Sequence, residues 1–74
     1  MDVQQILAHN IKTIIRNRGI KQRFVADSAG FDENTFSNML NGRKLIRAEY
    51  IPVIAHVLGV TANDLFQTPT DQTA

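Results

Sequence analysis

The stretch QRFVADSAGFDENTFSNMLN, residues 22–41, decides the fold of this chain. Its two halves each carry apolar residues at the spacing of one face of an α-helix. These residues are Val25, Ala26 and Ala29 in the first half, and Phe36, Met39 and Leu40 in the second. The pattern therefore predicts two short helices joined by a tight turn.

Three residues predict the turn between these helices. Gly30 suits the end of the first helix because glycine adopts a positive φ without a Cβ penalty. We expect Phe31 to be buried in the angle between the helices. We expect Asp32 to cap the second helix by accepting a backbone N–H. Because Ala26 and Gly30 are small, we also expect the helices to cross closely.

Short polar side chains lie on the outward face of the second helix, at about residues 33 to 41. Asn can pair with the N6/N7 edge of adenine, and Glu can accept from the N4 amine of cytosine. The candidates for reading bases in duplex DNA are therefore Glu33, Asn34, Ser37 and Asn38.

The same stretch resembles the helix-turn-helix of the phage-repressor and Cro-like (XRE-type) family of transcriptional regulators. Gln22 stands at the family's leading Gln, and its apolar, Ala and Gly positions are matched by Val25, Ala26, Ala29, Gly30, Phe31, Phe36 and Met39. Residues 40–44 resemble its basic exit loop, residues 54–60 its fourth helix and residues 63–66 its closing turn. The resemblance implies an all-α, lambda-repressor-like bundle of five helices and a phage or prophage regulator.

Composition bounds the possible functions of the 74 residues. The length suits one domain, which we place at residues 1–66, followed by a disordered polar tail at 67–74. The chain has no cysteine, so it has no thiolate zinc site and no cysteine nucleophile. We find no signal peptide and no apolar stretch long enough to span a bilayer, and so we expect a cytoplasmic protein.

Charge is distributed unevenly along the chain. All eight Lys and Arg lie within residues 12–47 beside three acids, giving 8 − 3 = +5, whereas residues 48–74 carry three acids and no base, giving −3. A basic block centred on a helix-turn-helix is expected of a nucleic-acid binder. The candidates for phosphate contacts are Gln22, Arg23, Asn41, Arg43, Lys44 and Arg47.

The first helix is predicted to begin with a capping box, Asp2 with Gln5, and to end near Arg18 with Gly19 as its left-handed stop. Its apolar stripe comprises Val3, Ile6, Leu7, Ile11, Ile14 and Ile15. The sequence departs from the family's pattern at the start of the second helix, where Lys21 stands at a position that is commonly Ser or Thr. Phe24 lies off the apolar face, so both core-edge packing and a partner contact remain open for it.

Beyond residue 41 we expect Gly42 to end the helix, with Leu45 and Ile46 turned inward. A fourth helix is predicted at about residues 48–58 with Pro52 near its first turn. Thr61 and Asp64 resemble a capping box for a short fifth helix that carries Leu65 and Phe66.

No catalytic, cofactor or metal site is predicted, since His9 and His56 lie far apart with no ligand spacing around them. The favoured function is a non-enzymatic, sequence-specific regulator of transcription, which the resemblance places among repressors. It is expected to bind an inverted repeat in double-stranded DNA as a homodimer and to have no small-molecule substrate. The alternative is a protein-interaction module, antitoxin-like or anti-repressor, which the acidic pair Asp32–Glu33 favours. RNA binding is a third possibility, although few aromatic side chains are placed to stack on bases.

Overall fold

The computed structural model describes residues 2–68, and within them the chain forms five α-helices and one 3-10 turn. The helices are α1 (Val3–Arg18), α2 (Gln22–Ala29), α3 (Glu33–Leu40), α4 (Ile51–Leu58) and α5 (Ala62–Leu65), and the 3-10 turn is Ala48–Tyr50. The all-α, five-helix prediction is confirmed. Of the tail predicted at residues 67–74, all but Gln67 and Thr68 lie outside the described residues.

The ends of α1 follow the predicted local chemistry. The Asp2 carboxylate accepts from the Gln5 backbone N–H at 2.8 Å, and the Gln5 side chain accepts from the Asp2 N–H at 2.9 Å. Gly19 has a φ of 66°, and the Ile20 N–H donates to the Ile15 carbonyl at 3.1 Å. These bonds satisfy backbone groups that a helix end leaves without partners.

The turn between α2 and α3 also forms as predicted, with one correction. Gly30 has a φ of 85°, and the Asp32 carboxylate caps α3 by accepting from the Asn34 N–H at 3.1 Å. A Cβ added at Gly30, however, would meet nothing within 4 Å. The glycine is therefore required by its left-handed backbone and not by a close crossing of the helices.

Phe31 is half-buried, whereas the sequence predicted a buried residue. Its ring stacks on that of Phe36 at a centroid distance of 5.8 Å and makes an edge-to-face pair with that of Tyr50 at a centroid distance of 4.9 Å. Offset-stacked and edge-to-face pairs are favoured arrangements of aromatic rings. This aromatic group joins the turn to the segment that precedes α4.

Every helix contributes to one apolar core. α1 packs on α3 and α5, α2 packs on α3 and α4, and α4 packs on α5. The buried residues are Leu7, Ala8, Ile11, Ile15, Val25, Ala26, Phe36, Met39, Leu40, Ile46, Ile51, Ile54, Ala55, Leu58 and Leu65. Small Ala26 is fully buried where α2 meets its neighbours.

Two apolar residues predicted to face inward, Val3 and Leu45, are exposed instead, and so is Phe66, which follows the last residue of α5 and does not lie on the helix as predicted. Val3 lies in the first turn of α1 and is 55% exposed, Leu45 is 67% exposed, and Phe66 is 44% exposed. For Leu45 and Phe66, an adjacent residue already occupies the inward position. Ile46 does so beside Leu45, and Leu65 does so beside Phe66.

The fourth helix begins later than predicted. The 3-10 turn at residues 48–50 precedes it, with the Tyr50 N–H donating to the Arg47 carbonyl at 2.9 Å. Pro52 has no N–H to offer the Ala48 carbonyl, so the α-helical ladder cannot begin there. A tighter turn takes its place, and α4 starts at Ile51.

Candidate nucleic-acid interface

The polar face of α3 lies opposite its buried residues. At 3.6 residues per turn, Asn34 and Asn38 lie one above the other on the side away from Phe36. Asn34 is exposed, whereas Ser37 and Asn38 are half-buried. The Asn41 amide donates to the Ser37 hydroxyl at 3.4 Å, which extends this polar face to the end of the helix.

A shallow groove brings most of the predicted base-reading residues together with the start of α2. It is lined by Gln22, Asp32, Glu33, Asn34 and Ser37. Asn38 lies outside the groove, one turn further along the same face of α3. The groove therefore joins the leading Gln of the helix-turn-helix to the N-terminal half of α3.

The N-terminus of α2 carries no side-chain cap. Lys21 occupies the N-cap position and makes no capping hydrogen bond there. Gln22 is half-buried, and Arg23 is exposed. The first backbone N–H groups of a helix, together with its dipole, form a favourable position for an anion.

Arg23 and Glu33 lie close to each other across the helix-turn-helix. The Arg23 Nε is 3.8 Å from the Glu33 carboxylate, and the two side chains are 74% and 53% exposed. An exposed ion pair at this distance is weak and can exchange partners. The structure thus places a predicted phosphate contact beside a predicted base contact.

The loop after α3 carries the predicted phosphate contacts at fixed positions. Gly42 has a φ of 80°, and the Arg43 N–H donates to the Asn38 carbonyl at 2.8 Å. This closure places Asn41, Arg43 and Lys44 at the end of α3, all of them exposed. Arg47 lies further along, and its Nε donates to Glu49 at 3.2 Å.

Sequence reasoning missed Gln4, which fixes this loop to α1. Its amide nitrogen donates to the Ile46 carbonyl at 3.1 Å, and its amide oxygen accepts from the Ile46 N–H at 2.7 Å. Both bonds are partly buried and join residues 42 positions apart. A glutamine in the first turn of a helix gives no signal of so distant a partner.

Asn10 is a second residue that sequence reasoning missed. Its amide nitrogen donates to the Leu65 carbonyl at 2.8 Å and to the Gln67 carbonyl at 2.7 Å. The side chain therefore holds the end of α5 against α1. Neither bond involves the polar face of α3.

A depression of about 670 Å³ lies between α1 and the loop that follows α3. His9 and Lys12 contribute from α1, and Asn41, Arg43 and Lys44 contribute from the loop. The structure thus brings three of the six predicted phosphate contacts together. Gln22 and Arg23 lie at the start of α2, and Arg47 lies outside this depression.

Three further observations concern the described part of the chain. Residues 2–68 contain no group of three His, Cys, Asp or Glu side chains that could hold a metal ion, and His9 and His56 lie exposed on α1 and α4. No helix in this part is long and apolar enough to cross a membrane. Phe24, on α2, is 58% exposed.

Comparison with known proteins agrees with this architecture. Residues 10–71 match the family model of the Cro/C1-type HTH DNA-binding domain. The chain is 30% identical over 73 residues to y4dJ, an HTH-type transcriptional regulator of Sinorhizobium fredii. The aligned region covers 99% of this chain and 94% of that protein.

Two solved structures share the fold. The hypothetical transcription factor NHTF from Neisseria superposes with a TM-score of 0.88 at 29% identity, covering 97% of this chain and 83% of that one. ClgR of C. glutamicum, a clp gene regulator, superposes with a TM-score of 0.81 at 20% identity, covering 88% of this chain and 84% of that one. Taken with the family match, these findings show that the chain belongs to the Cro/C1-type family and is the helix-turn-helix DNA-binding domain of a transcriptional regulator.

Proposed function

We propose that this domain is a sequence-specific repressor that binds double-stranded DNA with α3 in the major groove. The single observation that carries the proposal is the polar face of α3, where Asn34 and Asn38 lie in line and away from the core. The major groove admits an α-helix and displays a different donor and acceptor pattern for each base pair. We assign base readout to Glu33, Asn34, Ser37 and Asn38.

Phosphate contacts flank this reading face at both of its ends. Gln22 and Arg23 lie at the uncapped start of α2, which favours an anion, and Asn41, Arg43 and Lys44 lie at the end of α3. Contacts to phosphate fix the register of a protein on the duplex, whereas contacts to base edges supply sequence specificity. Arg47 completes the proposed set from the start of the 3-10 turn.

A homodimer on an inverted repeat is the proposed form of the complex. One α3 reaches only a few base pairs, so a second copy on a two-fold site doubles the readout. We also propose that the complex represses transcription and that the protein is a non-enzymatic, cytoplasmic regulator of phage or prophage type, because its helix-turn-helix resembles that of the phage-repressor family.

Selection from random duplex DNA tests this proposal. We expect enrichment of an inverted repeat whose half-sites lie about 10 base pairs apart, or a multiple of that, because a dimer presents its two reading helices on one side of the duplex. If no sequence is enriched, the proposal is wrong. That result would favour a protein-interaction module, for which the exposed acidic pair Asp32–Glu33 at the start of α3 is the supporting observation.

Variants on the two kinds of contact should behave differently. We expect Asn34→Ala and Asn38→Ala to lose about 1–3 kcal/mol of discrimination for the selected site, with non-specific binding nearly unchanged. Arg43→Ala and Lys44→Ala should weaken binding to all sequences alike and reduce the magnitude of the slope of log K against log salt by about one unit for each protomer bound. A loop variant that shifts base preference while the Asn variants do not would show that α3 is not the reading helix.

A further inference from the structure

The depression between α1 and the loop contains two side chains that the proposed function does not use. His9 and Lys12 lie on successive turns of α1, and both are exposed. They line the same depression as Arg43 and Lys44. The family match and the helix-turn-helix pattern give no role to either residue.

The charge of this depression suits a single anion. Lys12, Arg43 and Lys44 supply three positive charges against one acid, Asp2, so the lining carries 3 − 1 = +2 with His9 neutral. The Asp2 carboxylate is already engaged as the cap of α1, where it accepts from the Gln5 N–H. A neutral imidazole adds one N–H donor and one acceptor.

Two features fix the shape of the depression. Its floor is apolar and comes from Ala8, Met39 and Leu40, all of which belong to the core. Gln4 holds Ile46, which follows Leu45 in the loop, against α1 through two hydrogen bonds. These two hydrogen bonds tie one wall of the depression to the other.

We infer that this depression receives a phosphate of the DNA backbone outside the base pairs read by α3, with Lys12 as its principal contact on α1 and His9 as a second donor. The inference rests on the proposed function. With α3 in the groove, the loop at its end lies beside the sugar–phosphate strand that borders the groove, and α1 forms the opposite wall. Helix α1 then enlarges the contacted length of DNA without reading its sequence.

The experiment compares Lys12→Ala with Arg18→Ala on the selected duplex. Both changes remove one positive charge from an exposed position of α1. Arg18 lies at the other end of the helix with its guanidinium near Gly59, outside the depression, and serves as the matched control. Thermal unfolding of both variants should match the wild type, since neither side chain is buried.

We expect Lys12→Ala to reduce the magnitude of the slope of log K against log salt by about 0.9 for each protomer bound, the value for one phosphate neutralised. Over a fourfold rise in salt, the wild type then loses about 3.5-fold more affinity per protomer than the variant. Arg18→Ala should leave the slope unchanged. Equal effects of the two substitutions would overturn the inference and leave the proposed function intact.

A neutral phosphate analogue locates the contact on the DNA. Methylphosphonate is placed at one backbone position at a time in the selected duplex. We expect one position per half-site at which the substitution weakens binding by the wild type and by Arg18→Ala more than binding by Lys12→Ala, because Arg43 and Lys44 still contact the phosphate in that variant. If the effects of Lys12→Ala and of the methylphosphonate add at every position, Lys12 makes no direct contact with a phosphate. If the wild type does not bind the duplex at all, both proposals are overturned.

Discussion

Gln4→Ala should destabilise the domain although the residue lies at the surface end of α1. Both bonds of the Gln4 amide go to the backbone of Ile46, a residue that is only 2% exposed. The substitution leaves the Ile46 N–H and carbonyl without these partners. Each such bond contributes about 0.5–1.5 kcal/mol net, so the free energy of unfolding should fall by about 1–3 kcal/mol.

Urea and thermal denaturation followed by circular dichroism measure this effect. For a domain of this size, each kcal/mol corresponds to roughly 4–8 °C in Tm, so a loss of about 2 kcal/mol lowers Tm by roughly 8–16 °C. Lys12→Ala, an exposed change on the same helix, is the control and should stay within about 0.5 kcal/mol of the wild type. A Gln4→Ala variant as stable as that control would refute the reasoning.

Gln4→Glu separates the two hydrogen bonds. A carboxylate can still accept from the Ile46 N–H, but it places an acceptor against the Ile46 carbonyl, where the amide nitrogen donates. We expect Gln4→Glu to be at least as destabilising as Gln4→Ala. If Gln4→Glu retains full stability at neutral pH, the bond to the carbonyl contributes nothing.

Two further substitutions test the helix-turn-helix itself. Gly30→Val should lower the free energy of unfolding by about 1–3 kcal/mol, because a β-branched residue must adopt the left-handed φ. Gly30→Asn should lower it by less, because Asn tolerates that region. If Gly30→Val is as stable as the wild type in urea, this turn can relax. Glu33→Gln should change the preferred base at one position of the selected site, as judged by repeating the selection. Uniformly tighter binding to every sequence would instead show that the acid only repels phosphate and holds Arg23 away from it.

Local chemistry made much of the fold predictable. The capping residues and the left-handed glycines act within a few residues of their own position, so Asp2, Gly19, Gly30 and Asp32 could be assigned without knowledge of the tertiary structure. The apolar spacing of α3 likewise predicted Phe36, Met39 and Leu40 as core, and the remaining face followed as polar. The candidate base contacts therefore came from the same pattern as the fold.

Other features depended on distant parts of the chain and could not be predicted. The sequence could not show that Ile46 is buried and Leu45 exposed, because both are apolar and their burial depends on how the loop packs on the core. The amides of Gln4 and Asn10 bind backbone groups 42 to 57 residues away. Nor did the sequence show that His9 and Lys12 line the same depression as the basic loop.

The tether from Asn10 to Leu65 has a consequence for synthesis of the chain. Its partner is 55 residues later in the sequence, and at about 5–20 residues per second the ribosome needs roughly 3–11 s to supply it. Until α5 is synthesised, the face of α1 that packs on it in the folded domain has no partner. The nascent domain therefore passes through a period in which a chaperone that binds apolar helices can capture α1, and the period ends only when α5 emerges.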